Sequence, residues 1–191
     1  NFTQVLNPKL RLKFVYAGNM GLGQSLEETV IPIAKHFGDK ILFQLIGDGS
    51  SIDKIKNLII REELTNIQIT PPVKRTSLIK YYNNADVLFL QLNDIPAFEN
   101  VLPSKIFDYG SFDKPILAGV NGTSKSFLEK YLPHSYIFEP NNYRQAIKLV
   151  DKIFTDKIEI NNNLFVEKFS REKIANNFVK SITSTIKKNS L

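Results

Sequence analysis

Apolar and polar positions change period repeatedly along the chain, and each change marks an element. Residues 12–17 are a short apolar, β-rich run ending at Gly18, which predicts a strand. Over 26–37 the apolar positions Leu26, Val30, Ile33, Ala34 and Phe37 fall near helical spacing, predicting a helix that Pro32 should kink or shorten. Residues 41–46 read as a second buried strand, closed by the turn Gly47-Asp48-Gly49-Ser50. A helix follows at 51–60, with Ile52, Ile55 and Ile59 on one side, then a short strand at 67–69 running into Pro71-Pro72. The rhythm continues with a helix at 77–84, a strand at 86–92 and a helix at 103–111 that opens on Pro103. Strands at 115–120 and 135–138 alternate with helices at 124–131 and 143–154. Beyond the polar loop Asn161-Asn162-Asn163, residues 171–188 read as an amphipathic helix with Ile174, Phe178 and Ile182 on its apolar face. Phe165 and Phe169 read as core.

Strands separated by helices argue for parallel βαβ units with helices on both sheet faces. The run Val87-Leu88-Phe89-Leu90 is continuous rather than alternating, as parallel strands buried on both sides are. The expected fold is therefore α/β, a doubly wound, mostly parallel (Rossmann-like) sheet of about six strands. The expected division is 1–170 for this unit and 171–191 for the C-terminal helix.

Composition narrows the function classes. The chain has 191 residues, 42% hydrophobic and 23% charged, which excludes disordered and fibrous classes. No apolar run approaches the roughly 20 residues of a membrane-spanning helix. The opening Asn1-Phe2-Thr3-Gln4 lacks a signal-peptide layout, and without a starting Met the chain is expected to be part of a longer protein. With no cysteine, disulfides, zinc–thiolate sites and thiol nucleophiles are excluded. A histidine-built metal site is not expected from His36 and His134 alone. The 25 Lys and Arg against 19 Asp and Glu, a net +6, suit anionic partners. No stripe of Arg interleaved with aromatics suggests nucleic acid.

In an open parallel sheet, ligands bind beyond the carboxyl ends of the strands. The first such loop, Gly18-Asn19-Met20-Gly21-Leu22-Gly23-Gln24, is a candidate backbone phosphate cradle. It is not a dinucleotide fingerprint, because Leu26 stands where a third glycine belongs, and no Walker Lys follows. A tight turn is the purely structural alternative. In the loop after the fourth strand, Lys105 opens a helix and Asp108 lies three residues on, near the same face. A cation for phosphate and a carboxylate for a ribose diol make a nucleotide-binding arrangement; a surface ion pair between the two is the alternative.

Gly18-Asn19-Met20-Gly21, Gly47-Asp48-Gly49, Tyr81-Tyr82-Asn83-Asn84-Ala85-Asp86-Val87, Leu102-Pro103-Ser104-Lys105-Ile106-Phe107-Asp108-Tyr109 and Lys114-Pro115-Ile116 occur in an order that resembles one family. It is the C-terminal half of GT-B glycosyltransferases. The chain is most similar to the retaining glycosyl transferases group 1 (family 4) of bacterial surface-polysaccharide and lipopolysaccharide synthesis. The resemblance implies a half that binds a nucleotide-sugar donor, commonly UDP-linked, beside a separate N-terminal acceptor half. It places the family's acidic pair on Asn100, with Glu99 beside it, and on Asp108, which would hold the ribose hydroxyls. The first-loop positions that carry cations in many members are Asn19 and Gln24. Lys105, with the N–H groups of Ser104 and Lys105, is then the expected stabiliser of the leaving diphosphate. Gly18, Gly21 and Gly47 would approach the nucleotide, and the base would sit in the third loop near Val73. Asp113, where the family commonly has Gly, would end a helix in a left-handed conformation. The resemblance implies no bound metal or cofactor and a cytoplasmic location, with peripheral contact to an anionic membrane face. A nucleotide- or anion-binding module without catalysis is the competing reading.

Overall fold

The computed structural model describes residues 11–156, 159–170, 172–176, 178, 179, 182 and 183. Six strands form one sheet: β1 (Leu12–Ala17), β2 (Ile41–Ile46), β3 (Ile67–Thr70), β4 (Val87–Gln91), β5 (Ile116–Gly119) and β6 (Tyr136–Phe138). Their order is β3-β2-β1-β4-β5-β6, and every pairing is parallel. This is the doubly wound sheet that the alternating pattern predicts.

Neighbouring residues of a strand face opposite ways, and β1 shows the consequence. Phe14 and Tyr16 pack with α1 (Glu27–Phe37), α2 (Ile52–Arg61) and α6 (Tyr143–Thr155) through Val30, Ile33, Ile55 and Val150. Val15 and Ala17 join the opposite core, built with α3 (Arg75–Asn83), α4 (Lys105–Tyr109), α5 (Gly122–Tyr131) and α7 (Asn163–Phe169). There Tyr82, Ile106, Tyr109, Leu128 and Phe165 are buried. Both faces are covered, which is why the strands read as continuous apolar runs.

Three local expectations change. Pro32 neither breaks nor shortens α1, which runs through it to Phe37. The N–H that Pro32 lacks would have bonded the carbonyl of Glu28, an exposed first-turn residue within reach of water. Asp113 does not take the left-handed conformation. Its carboxylate instead accepts the N–H of Asn162 at 2.8 Å, while Asn162 Nδ2 donates to the Phe112 carbonyl at 2.7 Å. These bonds seat the third change, α7, in a stretch whose sequence showed only core phenylalanines. Phe165 lies 4.8 Å from Phe169 and 6.3 Å from Phe107 between ring centroids. Of the helix expected over 171–188, residues 172–176, 178, 179, 182 and 183 are helical, with Ile174, Phe178 and Ile182 44–66% exposed; the rest lies outside the described residues. No helix among the described residues is long and apolar enough to cross a membrane.

Candidate functional site

Strand order reverses between β1 and β4, and a doubly wound sheet opens a crevice at such a point. A cleft of about 460 Å³ lies here, formed by the loops after β1, β2 and β3 and by the start of α4. Its floor is glycine backbone. Gly18 N–H donates to the Ile46 carbonyl at 2.8 Å and Gly47 N–H to the Thr70 carbonyl at 2.9 Å, extending the ladder one residue past the strands. Both glycines have positive φ, +143° and +142°. The loops stack so closely that a Cβ on Gly47 would lie 2.0 Å from the Gly18 carbonyl oxygen. Here the turn alternative holds, since the backbone demands glycine, yet the same absence of side chains opens the cleft floor.

Lys105 reaches over this floor. Its ammonium sits 3.6 Å from the centroid of the Tyr16 ring, and a Cβ on Gly18 would stand 2.7 Å from its Nζ. The aromatic face is a weak substitute for water, and burial lowers the ammonium pKa to about 7. Among the described residues the Lys105 ammonium has no hydrogen-bond acceptor and no carboxylate partner. Tyr16 is fixed from below by its hydroxyl, which donates to the Asn19 carbonyl, and burial pushes its own pKa up. The helix here is shorter than expected, beginning at Lys105 rather than Pro103 and ending at Tyr109. Pro103 and Ser104 form a turn ahead of it, and the carbonyls of both accept N–H groups of α4 at 3.0 Å. The N–H groups of Ser104 and Lys105 have no partner among the described residues.

Asp108 lines the same cleft but does not pair with Lys105. It accepts instead from Arg75 Nη2 at 3.0 Å. Sequence reading missed Arg75 because it lies 33 positions upstream, and only its place just after the third loop could have suggested it. Pro72, Val73, Leu78 and Tyr82 form the apolar wall. Asn19, Ser104 and Asp48 complete the rim.

The other expected site residues lie outside this lining. Gln24 Oε1 accepts from Asn19 Nδ2 at 2.9 Å and from the Gly21 N–H at 3.3 Å. The two neutral residues at the cation positions thus close the first loop on itself, and the candidate cradle amides of Gly18, Met20, Gly21 and Gln24 are already bonded within the protein. Glu99 and Asn100 are exposed and follow a 3-10 turn at Pro96–Phe98. The Glu99 carbonyl accepts the Thr123 N–H at 2.7 Å, so this segment lies against the start of α5. No group of three or more His, Asp or Glu among the described residues could hold a metal ion.

A profile described as Glycosyl transferases group 1 matches residues 12–171, most of the chain. The chain belongs to the glycosyl transferases group 1 family. Solved structures agree on the fold of this glycosyltransferase domain. HepE of Anabaena, solved with UDP and glucose, superposes with a TM-score of 0.77 at 12% identity, over 94% of this chain and 50% of that one. The catalytic domain of cholesterol-α-glucosyltransferase from Helicobacter pylori gives a TM-score of 0.60 at 17% identity, over 91% and 98% of the two chains. TarM of S. aureus, solved with fondaparinux, α-GlcNAc-glycerol and UDP, gives 0.68 at 16% identity, over 94% and 38%. The domain thus spans about half of the HepE chain and less of TarM. No curated protein sequence matches it.

Proposed function

We propose that this glycosyltransferase domain holds the nucleotide-sugar donor of a retaining transfer reaction, with UDP as the nucleotide, in polysaccharide or lipopolysaccharide synthesis. The observation that carries the reading is the convergence of an unpaired, desolvated lysine, a side-chain-free glycine floor and a carboxylate on one cleft. In this reading the diphosphate lies over Gly18 and Gly47, with Lys105 and the free N–H groups of Ser104 and Lys105 taking up its charge. As the glycosidic bond to the β-phosphate breaks, negative charge builds on the departing diphosphate, and a preformed cation with few waters stabilises it. Asp108 accepts hydrogen bonds from the ribose hydroxyls, and the base rests on the apolar wall at Val73. The transferred sugar then points toward Glu99 and Asn100. That HepE and TarM were each solved with UDP supports the choice of nucleotide. The acceptor is assigned to a separate N-terminal half, so the isolated domain is expected to bind donor without transferring sugar.

Isothermal titration tests the reading. UDP should bind and raise the melting temperature while NAD does not, and Asp108→Ala should weaken UDP about 10- to 100-fold, the cost of losing hydrogen bonds to a charged group. Failure of every nucleoside diphosphate to bind would overturn it. The neutral Asn19–Gln24 pair favours the non-catalytic module as second reading; sugar transfer by the longer protein decides between them.

Arg75 gives an independent check. As half of a largely exposed ion pair it adds little to folding, on the order of 1 kcal/mol or less. Because it holds the Asp108 carboxylate, Arg75→Ala should weaken UDP about fivefold and have no further effect once Asp108 is alanine. A double-mutant cycle read by titration measures this, and equal losses in both backgrounds would contradict it.

A further inference from the structure

A second, larger hollow of about 1000 Å³ lies on the same edge of the sheet, past the carboxyl ends of β5 and β6. Its walls are the starts of α5 and α6. The nucleotide cleft does not use it, and none of the residues singled out in the sequence lines it.

Its chemistry is that of a saccharide site with a cationic bias. Lys125 on α5 and Arg144 and Lys148 on α6 line it, all exposed, and none has a carboxylate partner among the described residues. Arg144 and Lys148 are four positions apart, one helical turn, and so flank the same patch. The lining carboxylates are two against these three cations: Asp94, exposed, and Glu139, already engaged by Asn142 Nδ2 at 3.3 Å and Gln145 Nε2 at 3.4 Å. Asn121 and Tyr143 also line the hollow, supplying an amide for hydroxyl groups and an aromatic face. Arginine offers a carboxylate or sulfate two parallel donors.

Its position relative to the donor cleft is fixed by close contacts and hydrogen bonds on two sides. The segment bearing Glu99 and Asn100 is pinned to α5, where a Cβ on Gly122 would lie 2.1 Å from the Glu99 carbonyl oxygen and Ser124 Oγ donates to the Val101 carbonyl at 2.6 Å. Asn121 is the residue just before. Behind the hollow, Asn141 is held in a left-handed conformation, φ +61°. Its Oδ1 accepts from the buried Gln91 Nε2 at 3.1 Å, and its Nδ2 donates to Asn93 Oδ1 at 2.8 Å. Gln91 Nε2 also reaches the Ser25 carbonyl at 2.7 Å, and Asn93 Nδ2 the Leu22 carbonyl at 2.9 Å. An amide relay thus ties the hollow to the first loop beside the donor cleft.

We infer that this hollow is a subsite for an acidic saccharide unit of an acceptor whose reacting end is held by the N-terminal half and which reaches across onto this domain beside the sugar being transferred. The acceptor label rests on the donor reading above; the site for an acidic saccharide does not. The test uses the 191-residue chain and three probes: trigalacturonic acid, neutral maltotriose and UDP-glucuronate. Trigalacturonic acid should shift the amide resonances of Asn121 and Asn142–Arg144 and bind more weakly as salt rises. The triple variant Lys125→Gln, Arg144→Gln, Lys148→Gln should weaken it at least tenfold while leaving UDP affinity within twofold. Maltotriose binding as strongly as the acid, or shifts that ignore the triple variant, would overturn the inference. A triple variant that weakens UDP-glucuronate but not trigalacturonic acid would overturn the acceptor label in favour of the donor's own sugar. Should UDP fail to bind while trigalacturonic acid binds as described, the donor reading falls and the saccharide site stands.

Discussion

UDP affinity of the unmodified domain should fall about tenfold for each pH unit above 7, and replacing Lys105 with methionine should abolish that dependence. Burial over the Tyr16 ring lowers the free lysine's pKa to about 7, so above neutrality most of the unliganded protein carries it uncharged. A bound diphosphate favours the ammonium and raises that pKa again, so binding draws in a proton. The affinity is therefore full below pH 7 and is lost as pH rises toward the liganded pKa, one factor of ten per unit. Titrations in two buffers of different ionisation enthalpy measure the uptake, which should approach one proton at pH 8. Lys105→Met should weaken UDP about 10- to 100-fold at pH 7, and Lys105→Arg, charged throughout, should flatten the profile. The same lysine makes folding stability rise with pH above 7, because an unfolded lysine, titrating near about 10.4, binds more protons there than the folded one. A methionine variant with the unmodified pH slope would mean that Lys105 does not meet the ligand's charge.

Gly47→Ala should destabilise the domain by about 3 kcal/mol or more, through both its φ of +142° and the 2.0 Å approach of the new Cβ to the Gly18 carbonyl oxygen. For a chain of this size that corresponds to a melting temperature lower by roughly 6–12 °C, read by calorimetry. Gly38→Ala separates the two causes. Gly38 also has an unfavourable backbone, φ +52° and ψ −132°, but a Cβ there meets nothing within 4 Å, so the loss should come from backbone strain alone, about 1–3 kcal/mol. Equal losses at both positions would show that the Gly18–Gly47 stack is not tight. Any Gly47 variant that folds by parting the loops should lose the cleft floor and with it UDP affinity.

The frame of this fold was legible because its strands are buried on both faces. β1 and β2 stand at the bounds read from apolar runs alone, since a turn glycine closes each: Gly18 and Gly47. Helix ends were less legible. α4 is two residues shorter at each end than its pattern suggests, because Pro103 and Ser104 form a turn ahead of it and Gly110, whose N–H donates to the Ile106 carbonyl, caps it. α7 escaped notice because its seven residues present barely two turns of pattern, and its position depends on Asn162, Phe112 and Asp113 meeting across some 50 positions. In the cleft, Gly18, Asn19, Gly47, Val73, Ser104, Lys105 and Asp108 follow from loop logic, because strand ends gather their loops whatever the side chains do. The Arg75–Asp108 pair and the seat of Lys105 on Tyr16 do not. Each joins elements distant in sequence, and Tyr16 reads simply as a strand residue.

A crystal of the domain soaked with UDP tests the donor site most directly. The diphosphate should lie over Gly18 and Gly47 within hydrogen-bond reach of Lys105 Nζ, with both ribose hydroxyls on the Asp108 carboxylate. UDP density elsewhere, or seated here with Lys105 and Asp108 turned from it, would contradict the assignment.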